Sequence, residues 1–250
     1  MDQSKQSTKG NVYFIETMGA FDGPGLRYVL FLQGCPLKCK FCHNRDSWST
    51  EVNRIMTVEE VINDYSRYKS YYRRGGITVS GGEPTLQIEF VTELFKKCRL
   101  LGIHTCLDTS AGTFSKKNQD KHLELLKYTD LVLLDIKHID NEKHQWLAGI
   151  SNHQVLDFAR FLAKNKIDTI TRHVLLPGIN NSERQLLALR DFLDGLDNIV
   201  GIDVLPYHKA GMMKWKNMSL EYELDFVNEP TKNEIMIAEK ILKKGYKFKK

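Results

Sequence analysis

No apolar run in this chain approaches the roughly 18 residues that a membrane-spanning helix needs, so no membrane partner is expected. No basic start leads into an apolar stretch, so no secretory signal is expected either. Low-complexity segments and an obvious linker are also lacking. A single domain over residues 1–250 is therefore expected, with about the first ten residues flexible. Cysteine is scarce and odd in number: five residues, which argues against a disulfide framework. A cytoplasmic location fits, since that compartment keeps thiols reduced. The charge excess is mild, +5 with a pI near 8.8. It weakly favours acidic partners and gives no reason to expect nucleic acid. The basic ending Lys243, Lys244, Lys247, Lys249 and Lys250 reads as a solvated tail.

What is present is an alternation of β-rich apolar runs and helical patterns across 250 residues, 42% of them hydrophobic, enough for one substantial core. Strands are expected at 27–34, 76–82, 104–109, 130–137, 168–178 and 198–208, with an additional early strand, NVYFIET, at an edge. Helices are expected at 57–74, 87–102, 120–129 and 152–165. Two more follow, after Ser182 and near Pro230. Thr57-x-x-Glu60, Ser182-x-x-Gln185 and Thr231-x-x-Glu234 read as capping boxes. Runs such as LVLLDI are apolar on both faces, as parallel strands under helices are.

Polar residues gather where the strands end: Ser80-Gly81-Gly82-Glu83, Asp108-Thr109, Asp135-Lys137, Arg172 and Tyr207-His208. An open doubly wound sheet and a barrel both carry their site at that end. Contributions from every strand suit a barrel wall, and six strands rather than eight suggest one left partly open.

Three of the five thiols, Cys35, Cys39 and Cys42, fall in GCPLKCKFCHN directly after the first strong strand. Three thiolates can hold three irons of a four-iron cluster and leave the fourth iron for another ligand, whereas protein ligation is otherwise fourfold. A zinc site that recruits His43 is the other reading, and it would make the chain a binding module without turnover. His43 adjoins Cys42, which makes tetrahedral ligation by both awkward. Cys98, on a helix, and Cys106, in a strand, read as core residues.

The Cys-x3-Cys-x2-Cys loop, with Phe41 before its last cysteine, resembles the signature of radical S-adenosylmethionine enzymes. SGGEP resembles their glycine-rich motif. DGPGLR (22–27) is similar to the signature of glycyl-radical-enzyme activases. CHNRDSW, GIHTCLDTS, LLDIKH, LPGIN and LPYH extend the likeness to those that activate pyruvate formate-lyase, across about residues 11 to 248.

The resemblance implies an α/β fold, a partial (β/α)6 barrel. It implies one [4Fe-4S] cluster on Cys35, Cys39 and Cys42, S-adenosyl-L-methionine on its open iron, and a monovalent cation near Asp108, Thr109 and Asp135. No cysteine separates Cys42 from Gly81, so no second cluster is expected. The cofactor-contacting residues implied are Phe41, Cys42, His43, Gly81, Gly82, Glu83, Asp135, Ile136, Lys137, Arg172 and His208. For Glu83, holding the turn is the alternative. Asn44 reads as a cap. The implied reaction is reductive cleavage of S-adenosylmethionine to a 5′-deoxyadenosyl radical, which abstracts hydrogen from a glycine Cα. The implied partners are a glycyl radical enzyme as protein substrate, with pyruvate formate-lyase favoured over a dehydratase, and a flavodoxin-like electron donor. A monomer is expected. Asp22 and Arg27 are candidates to hold the target peptide, a turn at Gly23-Pro24-Gly25 being the plainer reading.

Overall fold

A computed structural model describes residues 8–246 of the chain. The expected flexible start and the basic ending fall largely outside that range. Lys9 and Gly10, within it, are already strand. Eight strands form one sheet: β1 (Lys9–Gly19), β2 (Arg27–Leu32), β3 (Arg54–Thr57), β4 (Gly76–Gly81), β5 (His104–Thr109), β6 (Leu131–Asp135), β7 (Thr169–Leu175) and β8 (Ile199–Pro206). Their order is β3-β1-β2-β4-β5-β6-β7-β8. From β2 to β8 all neighbours are parallel, while β1 and β3 add antiparallel strands at one side. Among the described residues no pairing joins β8 to β3, so this is an open, partial barrel of six parallel strands with a two-stranded extension.

The six parallel strands and the three capping boxes lie where the sequence places them. Other features differ. NVYFIET belongs to a longer strand that lies between β3 and β2 and not at the edge, which β3 occupies. β3 spans only four residues, RIMT, too few for a periodic signal. The helix expected over 57–74 stops at Arg67 as α1 (Val58–Arg67). Past it the chain turns so that Tyr72 stacks on Tyr65, ring centroids 5.0 Å apart, and donates its hydroxyl to the Thr17 carbonyl at 2.7 Å.

The remaining helices are α2 (Ile88–Leu100), α3 (Gln119–Leu126), α4 (Asn141–Ala148), α5 (His153–Lys164), α6 (Glu183–Asp194), α7 (Met212–Asn217) and α8 (Lys232–Leu242). Sequence reading does not anticipate α4 or α7. Asp140 caps α4 from just before its first residue, its carboxylate accepting the Lys143 N–H at 2.9 Å, the usual work of a capping aspartate. Among the described residues no helix is long and apolar enough to cross a membrane.

The main core fills the sheet and its helix interfaces, with Leu30, Val79, Leu107, Val132 and Leu134 at its centre. A second apolar cluster sits beyond the C-terminal strand ends. It joins Leu37, Cys39 and Phe41 to Leu147, Ala148, Leu176, Tyr207, Trp48 and Trp215. That second cluster fixes the cysteine loop on top of the barrel.

Candidate active site at the C-terminal ends of the strands

The loop after β2 has little regular structure, so its shape depends on bonds to neighbours. Gly34 N–H donates to Ser47 O at 2.7 Å. Lys38 and Lys40 N–H donate to Ala148 O and Leu147 O at 2.8 and 3.0 Å, the C-terminal turn of α4. Those carbonyls lack partners inside their own helix, so the loop satisfies them. Cys42 N–H then closes back on Cys39 O at 3.0 Å. The three thiols are free and line a cavity of about 540 Å³. Cys98 and Cys106 are fully buried away from it, core residues as expected.

Of the expected site residues, Phe41, His43, Gly81, Gly82, Asp108, Thr109, Asp135, Lys137, Arg172, His208 and Asp22 share this cavity with the thiols. A Cβ on Gly82 would lie 2.1 Å from Gly34 O, and one on Gly81, whose φ is +122°, 2.2 Å from Leu32 N. The glycine pair is thus required by the close approach of β4 to β2 and the cysteine loop.

Two carboxylates stand on neighbouring strands, and each has its own cation. Arg172 Nη1 reaches Asp108 Oδ2 at 2.9 Å, and Lys137 Nζ reaches Asp135 Oδ2 at 2.6 Å. Ser80 Oγ also donates to Asp108 Oδ2 at 2.6 Å. Burial pushes the Asp108 carboxyl up, against the pull of Arg172. Burial would raise Asp135 too, but the Lys137 and Arg172 charges hold it below the ordinary carboxylate value. Burial opposes the charge of Lys137, yet Asp135 holds it above its ordinary value. Thr109, expected with these carboxylates at a monovalent cation, donates its Oγ1 to Glu83 Oε1 at 2.6 Å.

Three expected residues do not reach the cavity with their side chains. Glu83 is fully buried beneath it: Oε1 accepts from Thr85 N, Thr85 Oγ1 and Thr109 Oγ1, and Oε2 from Ser110 N and Oγ. It holds the turn. Ile136 packs in the main core and meets the site only through its backbone, its N–H on Arg172 O at 3.0 Å. Arg27, expected at the peptide, is buried in the wall. Its guanidinium donates to Ile77 O at 2.7 Å and Thr78 Oγ1 at 2.9 Å and lies 3.1 Å from His104 Nδ1. The turn ahead of it is a genuine glycine turn: Gly25 has φ +71°, and a Cβ there would lie 2.2 Å from Arg74 O. Asn44 precedes the 3-10 turn Arg45–Trp48, but its side chain caps nothing; its Oδ1 accepts from Lys214 Nζ at 3.0 Å.

Sequence reasoning gave no role to Phe31 or Trp215, and named Ser80 and Trp48 only within their motifs. Ser80 and Phe31 line the cavity from β4 and β2. Trp48 Nε1 lies 3.3 Å from Cys42 Sγ, and Trp215 Nε1 donates to Cys42 O at 2.8 Å. Trp48 closes the CHNRDSW motif, six residues after the last loop cysteine, but the motif alone gives it no role. Trp215 carries no local signal, because only the fold brings α7 to the loop.

His43 faces away from the zinc reading. Its Nε2 lies 3.0 Å from His208 O and its ring lies 4.3 Å from the His208 ring, so it is engaged apart from the thiols. Among the described residues no three His, Cys, Asp or Glu side chains converge as ligands of one metal ion. Thiols bound to different irons of one cluster need not converge in that way. Burial pushes all three thiols up, Cys39 to about 12, so only a bound metal would keep them as thiolates. Asp108 Oδ1 and Arg172 Nε are buried without partners. An unsatisfied acceptor and donor in the wall suit a ligand with ammonium and carboxylate groups. The residues present therefore fit both a cluster and S-adenosylmethionine.

Comparison with known proteins agrees. The model of the Radical SAM superfamily matches residues 29–190. A pyruvate formate-lyase-activating enzyme of Staphylococcus epidermidis is 48% identical over 227 residues, covering 89% of this chain and 90% of the relative. The enzyme of that name from Staphylococcus aureus strain USA300 is 47% identical over 235 residues, covering 92% and 94%. A solved domain of a pyruvate-formate lyase-activating enzyme from Bacteroides vulgatus superposes with a TM-score of 0.56 at 28% identity, covering 67% of this chain and 92% of that one. The chain belongs to the radical S-adenosylmethionine superfamily and, within it, to the family of pyruvate formate-lyase-activating enzymes.

Proposed function

We propose that this protein activates pyruvate formate-lyase by creating a glycyl radical on it. The observation that carries the reading is one loop's three free thiols facing a cavity whose wall offers Asp108, Asp135, Lys137 and Arg172. Cys35, Cys39 and Cys42 would hold a [4Fe-4S] cluster, which would supply the electron for reductive cleavage of S-adenosylmethionine and so the radical chemistry needed at a glycine Cα–H.

The chain's own residues bind, orient and exclude. Cys35, Cys39 and Cys42 hold the cluster. The Asp108 and Asp135 carboxylates match an ammonium group, and the Arg172 fork and Lys137 match a carboxylate. Phe41, His43 and His208 offer flat faces to the adenosyl part. Asp22, which lines the cavity, would meet the entering peptide. Holding a glycine Cα–H against one carbon is a positioning task, and such positioning supplies much of a catalyst's effect. An open barrel admits a loop of a large partner to the same cavity.

The chain works as a single radical S-adenosylmethionine domain, as a monomer in the cytoplasm, with a flavodoxin-like electron donor with which its net charge of +5 is compatible. The test mixes anaerobically reduced protein, S-adenosylmethionine and pyruvate formate-lyase and looks for a glycyl signal by electron paramagnetic resonance. No signal, together with no 5′-deoxyadenosine, refutes the reading.

A further inference from the structure

Cys42 receives a hydrogen-bond donor from outside its own loop turn, and the donor's surroundings are unusual. Trp48 is 8% exposed, and its Nε1 lies 3.3 Å from Cys42 Sγ. Two cations bear on the same indole: the Arg45 guanidinium carbon is 3.9 Å and Lys38 Nζ 4.6 Å from the ring centroid. Arg45 Nε is buried without a hydrogen-bond partner, so that edge of the guanidinium has the ring as its compensation. Trp215 meets Trp48 edge-on with ring centroids 5.7 Å apart.

We propose that Trp48 is a positioning residue that sets the reduction potential at Cys42, by donating its indole N–H to the ligating sulfur. This rests on the functional reading above. A donor aimed at a cluster sulfur favours the more negative, reduced state and so raises the potential. Cations over the indole face draw electron density from the ring and make its N–H a stronger donor, in the same direction.

The test is an anaerobic redox titration of the iron-loaded protein with dithionite and mediators, without S-adenosylmethionine, read by electron paramagnetic resonance. Trp48→Phe keeps an aromatic ring and removes the N–H. At a fixed ambient potential its ratio of reduced to oxidised cluster falls about tenfold, which for a one-electron couple is a midpoint lower by about 59 mV. Trp48→His, which restores an N–H, recovers part of the shift. Trp215→Phe loses a bond to the Cys42 carbonyl and not to the sulfur, so it leaves the midpoint in place. An unchanged midpoint in iron-replete Trp48→Phe overturns the proposal, as does an equal fall in Trp215→Phe. If Trp48→Phe retains no iron, 5-fluorotryptophan incorporated into the Trp215→Phe protein decides. It keeps the indole and makes its N–H more acidic, so the midpoint rises, and no rise overturns the proposal. Parent protein that takes up no iron and sulfide would instead refute the functional reading.

Discussion

Asp108 on β5 and Arg172 on β7 form an ion pair of 2.9 Å that reaches across β6. Both side chains are largely buried, so removing one partner strands the other. Arg172→Leu is expected to cost about 3–5 kcal/mol of stability at neutral pH. Without Arg172 the Asp108 carboxyl rises further above its ordinary value, so the folded variant binds its proton more readily than the unfolded chain. The deficit should be smallest at and below the ordinary carboxylate range, where folded and unfolded chains both hold the proton, and widen as pH rises toward 7. Asp108→Asn combined with Arg172→Leu should recover much of the loss. Urea unfolding of the three variants at two pH values measures this.

Glu83 offers a sharper test of a buried carboxylate. Each of its oxygens meets a backbone N–H that cannot turn away, Thr85 N at Oε1 and Ser110 N at Oε2. In Glu83→Gln the amide NH2 must face one of them whichever way it is flipped. Hydrogen bonds to charged groups are worth about 1.5–3 kcal/mol, so a loss of roughly 3 kcal/mol is expected. A lower urea midpoint with unchanged m-value checks it.

Acid sensitivity should come from neutral buried histidines. Burial holds the His173 imidazole down to about 4, from an ordinary 6.5, while its bond to the Ile136 carbonyl opposes the fall. His43, His104, His122, His138 and His144 are lowered by burial as well. The unfolded chain therefore binds more protons below pH 6.5. Stability present above that value is lost as pH falls toward 4, with His173 alone contributing about 3 kcal/mol. His173→Asn keeps a donor near the Nδ1 position and cannot titrate, so its stability should fall less over this range.

The ligand set is tested by counting iron. Replacing Cys35, Cys39 or Cys42 by Ala should abolish iron and sulfide uptake in anaerobic reconstitution. Cys98→Ala, in the α2 core, should keep the full iron content and cost about 1–2 kcal/mol of stability. Loss of iron in Cys98→Ala alone would reverse the assignment.

How much of this was legible in the sequence depends on range. Parallel strands, capping boxes and the three-cysteine loop are local patterns, and each appears where its pattern lies. Residues whose role depends on a distant partner were less legible. Trp215 reaches Cys42 from 173 positions away, and only packing of α7 on the loop brings them together. Ile136 sits in the right strand end but points its side chain into the core, a matter of strand parity. Glu83 reads as a site charge because a motif surrounds it, while its five donors come from a turn and from the end of β5.

Asp22 and Arg27 belong to one motif and should part company in experiment. The Arg27 guanidinium is fully buried and bonded to Ile77 O and Thr78 Oγ1. Arg27→Lys keeps the charge but not the planar fork, so the wall loses bonds it cannot replace. A stability loss of about 2–4 kcal/mol is expected, from two charge-assisted bonds in a buried setting. Cofactor cleavage per folded molecule should hardly change. Asp22 differs in position: it lines the cavity, and burial followed by the Asp108 charge pushes its carboxyl up. Asp22→Asn relieves that repulsion, so the fold should be as stable as the parent or slightly more so. If Asp22 meets the peptide, glycyl-radical yield on the partner should fall while cofactor cleavage without the partner continues. Thermal melts and the two product assays, run side by side on both variants, separate a wall residue from a substrate contact. Equal radical yield in Asp22→Asn and the parent removes Asp22 from the peptide site.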